Sequence, residues 1–261
     1  MNDAAHPPQT DTLSQPAPTP VPDYFARADG LRLAYRYRGG AAPVIVFLPG
    51  YMSDMEGSKA VALDQWAAAT GQAMLRLDYA GCGASEGAFT DGTLESWRDD
   101  ARLLIDRFAP GKVILVGSSM GGWIALLLAR DLGPRVRALV GIAAAPDFTE
   151  WGFTDEQKDM IRREGRLVEP TPYGDEPYVT TRAFWESGQA NLLLDLPLDL
   201  QCPIRLLQGQ RDPDVPWPTA LAIADRAGSG DIQTILVKDG DHRLSRAQDI
   251  DLLLATVAAL P

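Results

Sequence analysis

Histidine is nearly absent from this chain of 261 residues: only His6 and His242 occur. Chemistry that needs an imidazole near neutral pH therefore has very few places to reside. Cysteine is equally scarce. Cys82 and Cys202 lie far apart, with no CxxC and no Cys/His cluster around either, which argues against a disulfide framework or a zinc site. No metal and no cofactor is expected. Basic residues are outnumbered, 24 Lys and Arg against 35 Asp and Glu, for a formal net charge of −11. Such a surface repels phosphate backbones and anionic lipid, so nucleic acid is not an expected partner. No apolar run is long enough to span a bilayer, and stable membrane insertion is not expected. A complete G-x-G-x-x-G and a P-loop lysine are both lacking. Asp78-Tyr79-Ala80-Gly81-Cys82-Gly83 reads as a structural turn, with Cys82 packing rather than reacting.

The first 22 residues hold six prolines and almost no bulky apolar side chains, the composition of a disordered leader over 1–22. It has neither the basic n-region nor the apolar h-region of a secretory signal. Asp3 and Asp11 are present and no Arg precedes Arg27, unlike a mitochondrial presequence. The expectation is cytoplasmic residence.

From about Tyr24, short β-like runs alternate with helical stretches. Leu31 to Arg38 alternates apolar and polar residues, like a half-exposed strand near a sheet edge. Val44 to Leu48 is a continuous apolar run, as a strand buried on both faces requires. Ala73–Leu77, Val113–Val116, Val136–Ile142, Ile204–Leu207 and Thr234–Val237 read the same way. Leu94, Trp97, Ala101, Leu104, Ile105 and Phe108 share one helical face behind a Thr93 cap, and Ile250, Leu253, Leu254 and Val257 form another stripe. This pattern predicts an α/β fold, a mostly parallel central sheet with helices on both faces. Residues 23–145 and 201–261 would form the core. The alternation lapses over 146–200, which carries Phe148, Trp151, Phe153, Phe184 and Trp185 and a possible hairpin from Leu167 to Thr181. A segment that long without core strands is usually functional, and it reads as an inserted lid. Trp151, Phe153, Phe184 and Trp185 are candidate substrate-binding residues.

Gly117-Ser118-Ser119-Met120-Gly121 matches G-x-S-x-G. The pattern suits a strand that turns sharply into a helix with Ser119 at the apex and small neighbours on either side. The flanks agree: Lys112-Val113-Ile114-Leu115-Val116 reads as strand, and Trp123 to Ala129 as helix. A serine at its ordinary pKa needs a base. With His6 in the leader, His242 is the candidate, in a loop between the last strand and the last helix. The carboxylate that orients it should lie between the two in the chain. Asp212 and Asp214, in Gly209-Gln210-Arg211-Asp212-Pro213-Asp214-Val215-Pro216, both qualify, and either could instead cap a helix starting near Trp217. Two N–H donors would complete an oxyanion hole. Met120 supplies one, and Tyr51 the other, with Met52 as its rival.

Several stretches carry a more specific likeness: Pro49-Gly50-Tyr51-Met52-Ser53, Gly57-Ser58-Lys59-Ala60, Leu115 to Trp123, Cys202 to Leu207 and Asp241-His242-Arg243. On these the chain resembles the α/β-hydrolase superfamily, and within it the abhydrolase-domain palmitoyl-protein thioesterases of mitochondria, also described as acyl-glucuronide esterases. That family's acid stands in Gly-x-x-Asp-x-x-Val-Pro, so the resemblance implies Asp212 rather than Asp214. It further implies cleavage of acyl esters or acyl thioesters through an acyl-Ser119 intermediate, on a small-molecule or acylated substrate. A peptidase or lactonase on the same scaffold is the alternative within enzymes, and an inactive ligand-binding module the alternative outside them.

Overall fold

Successive residues of a strand point to opposite faces, so a strand apolar at every position feeds two separate cores. The computed structural model, which describes residues 21–171 and 177–261, is built on that arrangement. Its strands are β1 (Asp23–Ala26), β2 (Arg32–Arg38), β3 (Ala41–Leu48), β4 (Gln72–Leu77) and β5 (Val113–Ser118). They continue as β6 (Val136–Ile142), β7 (Arg166–Glu169), β8 (Tyr178–Thr181), β9 (Ile204–Gly209) and β10 (Ile232–Val237). The helices are α1 (Ser58–Thr70), α2 (Leu94–Phe108), α3 (Met120–Leu132) and α4 (Phe148–Trp151), then α5 (Asp155–Glu164), α6 (Arg182–Ala190), α7 (Pro218–Arg226) and α8 (Ala247–Ala258).

Eight strands make one sheet in the order β1-β2-β4-β3-β5-β6-β9-β10. From β4 to β10 every neighbouring pair is parallel, and β2 joins β1 and β4 antiparallel at one edge. The α/β fold expected from the sequence is therefore present. β1 had no sequence signal of its own; it is a short edge strand whose side chains are mostly exposed.

Within β3, Val44, Val46 and Leu48 turn to one face and Ile45 and Phe47 to the other. The first face packs against α2, α3 and α7, with Trp97 and Trp123 fully buried there. The second packs against α1 and α8 through Ala60, Leu63, Ala67, Leu253 and Val257. Side chains as large as Trp97 and Trp123 each contribute several kcal/mol of apolar burial, roughly 25 cal/mol per Å² removed from water. α2 begins where the sequence says it should: Thr93 accepts from the Ser96 N–H while the Ser96 hydroxyl accepts from the Thr93 N–H, a capping box.

Residues 146–200 lie between β6 and β9 and carry α4, α5, the antiparallel pair β7–β8 and α6. The expected hairpin is this pair, and the residues at its turn, 172–176, lie outside the described residues. The predicted disordered leader falls, up to residue 20, outside them as well. No helix among the described residues is long and apolar enough to cross a membrane.

Candidate active site

One residue separates strand from helix at the centre of the sheet. β5 ends at Ser118, α3 starts at Met120, and Ser119 between them has φ 55° and ψ −122°. A non-glycine residue held there costs roughly 1–3 kcal/mol and persists only where its surroundings enforce it. Here the Ser119 N–H donates to the Ile142 carbonyl at 2.9 Å, and its own carbonyl accepts from Gly122 at 2.8 Å and Ala145 at 3.1 Å. The flanking glycines allow the turn to close. A Cβ on Gly117 would stand 2.2 Å from the Gly121 carbonyl oxygen, and one on Gly121 would stand 2.1 Å from that of Leu48. The spacing read from the sequence is thus a steric requirement.

Two loops at the same edge of the sheet bring the partners. The loop after β9 carries Asp212 and the loop after β10 carries His242, and they are laced together where the Arg211 N–H donates to the Gly240 carbonyl at 2.9 Å. His242 Nε2 lies 3.1 Å from Ser119 Oγ, and its Nδ1 lies 2.9 Å from Asp212 Oδ2. A carboxylate only accepts, so Nδ1 carries the proton and Nε2 is left as acceptor for the serine hydroxyl. The Asp212 side chain is fully buried and that of His242 is 16% exposed. Burial pushes the Asp212 carboxyl up. The His242 hydrogen bond and charge, with the N–H groups of Val215 and Asp214, outweigh it and hold the group below the ordinary carboxylate range. At this turn Asp212 makes the 2.9 Å hydrogen bond to the imidazole, and Asp214 donates its backbone N–H to Asp212 Oδ1 at 2.9 Å. Neither carboxylate caps α7, whose N-cap, Trp217, makes no side-chain cap bond.

A cavity of about 510 Å³ opens beside Ser119 and His242. Tyr51, Phe148, Trp151, Phe153 and Tyr178 form its aromatic wall, while Lys59 and Arg243 line it too. Burial, together with the neighbouring Arg243 cation, draws the Lys59 ammonium down to about 8. Of the four aromatic residues expected to touch substrate, Trp151 and Phe153 line this cavity. Phe184 and Trp185 do not, and that expectation is corrected. Phe184 is buried in the main core beneath Tyr51 and Trp97, and Trp185 packs with Ile161 and Leu167, its indole N–H donating to the Thr149 carbonyl at 3.0 Å. Their helix, α6, buries both residues in packing, one on the sheet side and one on the α5 side. Phe148 and Tyr178 take the places in the wall; Phe148 was visible among the segment's aromatics but not separable from them.

Met120 opens α3, so its N–H is among those a helix start leaves without an intrahelical acceptor. Tyr51 stands in the facing loop, and Met52 beside it has φ 51°. The Tyr51 ring packs against Phe89, Phe148, Tyr178 and Phe184, and its hydroxyl donates to the Val179 carbonyl at 2.7 Å. Among the described residues, Asp212, Asp214 and His242 bring potential metal-ligand atoms within 4.8 Å of one another. Two of those atoms, Nδ1 and Oδ2, are already hydrogen-bonded to each other, and the group is not read as a metal site.

The model of a family described as the alpha/beta hydrolase family matches residues 45–255. The chain belongs to the alpha/beta hydrolase family. Within it, the mitochondrial palmitoyl-protein thioesterase ABHD10 of Homo sapiens is 40% identical over 238 residues, covering 90% of this chain and 78% of that protein. The crystal structure of a putative hydrolase from Agrobacterium vitis S4 superposes with a TM-score of 0.85 at 42% identity, covering 91% of this chain and 96% of that one. The mouse alpha/beta hydrolase domain-containing protein 10 superposes at 0.86 with 38% identity, covering 92% and 98%. These alpha/beta hydrolase relatives correct one expectation. The human and mouse ABHD10 proteins are both named mitochondrial, which overturns cytoplasmic residence as inferred from the leader. That inference rested on the want of recognisable signals in 22 residues, and composition cannot place a protein in a compartment by elimination.

Proposed function

We propose that Ser119 is the nucleophile, His242 the general base and Asp212 the orienting acid of a serine hydrolase that cleaves acyl esters and acyl thioesters. The chain is a hydrolase of ester or thioester bonds, as its family and its ABHD10 relatives support. The observation that carries the residue roles is the relay of 3.1 Å from Ser119 Oγ to His242 Nε2 and 2.9 Å from Nδ1 to Asp212, beside an aromatic-walled cavity.

Ser119 Oγ attacks the acyl carbon while His242 Nε2 takes its proton, forming a tetrahedral intermediate. Its oxyanion is met by the Met120 N–H and, across the cleft, by the N–H of Tyr51. The imidazolium returns the proton to the departing thiol or alcohol, leaving an acyl-Ser119 ester. Water, deprotonated by the same imidazole, then releases the acid and regenerates the hydroxyl. The buried Asp212 carboxylate stabilises the imidazolium that exists between these transfers. Phe148, Trp151 and Phe153 receive the acyl chain, and residues 146–200 act as a lid over the core formed by 23–145 and 201–261. The relatives' name, palmitoyl-protein thioesterase, favours a long acyl chain on sulfur.

A fluorophosphonate probe is expected to label wild type and not Ser119→Ala, and His242→Ala should lower kcat/KM by at least about 10³-fold. Labelling of both proteins would place the nucleophile elsewhere. Acyl-nitrophenyl esters, acyl thioesters and aminopeptide anilides, compared by kcat/KM, test the substrate class; preference for the anilides would replace the esterase reading with a peptidase.

A further inference from the structure

Gln208 lies one residue before the end of β9 and is completely buried, and the chemistry outlined above does not use it. A buried primary amide is unfavourable unless its polar atoms find partners. Nε2 donates to Asp212 Oδ2 at 3.0 Å and stands 3.3 Å from the carbonyl oxygens of Gly209 and Val215. All three neighbours are acceptors, so the orientation is dictated. Turned over, the amide would set its oxygen against a carboxylate and two carbonyls. Its Oε1 makes no hydrogen bond among the described residues, so the side chain forgoes one bond in the orientation that keeps its N–H on Asp212.

The choice of oxygen matters. Asp212 Oδ1 accepts the N–H groups of Asp214 and Val215, both at 2.9 Å, whereas Oδ2 accepts His242 Nδ1–H at 2.9 Å and Gln208. Gln208 and the imidazole therefore share one oxygen. We infer that Gln208 is a positioning residue for the Ser119–His242–Asp212 relay, holding the carboxylate against rotation and drawing off part of the charge that Oδ2 presents to the imidazole. This rests on the roles proposed above for those three residues. A carboxylate with donors on both oxygens is fixed in its plane. A donor on Oδ2 also lessens the negative charge that this oxygen presents to the imidazole ring, and removing the donor would restore it.

The scarcity of histidine makes the test direct. In a His6→Ala background, His242 is the one imidazole left in the full chain, and its ring protons can be titrated by NMR. Gln208→Met has nearly the same shape and no donor. It is expected to raise the His242 midpoint by about half to one pH unit and to move the acidic limb of kcat/KM up with it. At neutral pH kcat should fall roughly ten-fold, with KM for a short neutral ester within about two-fold. Gln208→Leu removes the donor with a shorter apolar side chain and is expected to raise the midpoint to a similar extent. Asp214, Asp241, Arg243 and Lys59 are kept in every variant and cannot produce the difference. A side chain that merely packs would alter the unfolding temperature and leave both the midpoint and the limb at wild type. An unchanged midpoint in either folded variant overturns the assignment, and Gln208→Leu carries the comparison alone if the thioether is not accommodated. Failure of a fluorophosphonate to label wild-type Ser119 would instead sink the reading of the nucleophile, while the titration would still decide whether Gln208 acts on His242.

Discussion

Asp212 and Asp214 stand two residues apart in one turn, and their difference is geometric. Asp212 has a buried carboxylate with both oxygens engaged, one of them by His242, whereas Asp214 offers that carboxylate its backbone N–H. Asp212→Asn should leave the fold intact while presenting the imidazole with an amide that stabilises the wrong tautomer. The expected loss in kcat is about 10⁴-fold, and Asp214→Asn should cost less than about ten-fold. Steady-state ester hydrolysis checks both, and equal losses would contradict the distinct roles. The elbow is the other residue-scale fact. Ser119 occupies a backbone region that its side chain disfavours, held there by its bonds to Ile142, Gly122 and Ala145, in a turn that closes because Gly117 and Gly121 carry no Cβ. G-x-S-x-G was legible in the sequence for that reason: the constraint is local, spanning five residues.

Among the elements, Tyr51 ties the loop after β3 to the strand β8. Tyr51 belongs to the former, its hydroxyl donates to Val179 in the latter, and its ring sits in an aromatic cluster that also holds Phe148 and Phe184. Burial pushes its phenol well above the ordinary value, so it donates as a neutral group at all working pH values. Tyr51→Phe removes that bond and leaves the ring in place. The expected cost is about 1 kcal/mol, and amide exchange over 178–181 should quicken. If residues 146–200 are the lid proposed above, KM for a long-chain ester should rise while KM for a short one stays within about two-fold. Unaltered exchange at 178–181 would show that this bond does not hold β8.

For the molecule as a whole, buried carboxylates set how stability responds to pH. Asp78 closes β4 with its carboxyl pushed up to about 6, chiefly by burial and against the N–H groups of Ala84 and Met55 that favour its ionised form. In the unfolded chain the same group returns to its ordinary value near ~4. The native state thus binds more protons between the two values, and stability falls as pH rises through that window. Wild type should lose up to roughly 2–3 kcal/mol relative to Asp78→Asn between pH 4 and 7, measured by urea unfolding. Asp212 acts in the opposite sense. Its folded value is lowered, so its contribution is present above the ordinary carboxylate range and fades as pH falls. It is common to both proteins and cancels in the comparison, and parallel stability curves for the two would refute the role given to Asp78.

The parallel strands, the Thr93 cap of α2 and the elbow were legible in the sequence, and His242 stood out by scarcity. The first three are set by neighbours in the chain: a run of apolar residues, a Thr ahead of a helical stripe, five residues of one turn. Even so, β1 was missed, because an exposed four-residue edge strand has no apolar pattern to betray it. The tertiary structure decided what depends on residues distant in sequence. It paired His242 with Asp212 across 30 positions and with Ser119 across 123, and it turned Phe184 and Trp185 into packing while Phe148 and Tyr178 entered the cavity wall. It also set Gln208 against Asp212. An aromatic or amide side chain reads the same in any amphipathic stretch, and only the packing of other elements against it fixes whether it meets solvent, core or substrate.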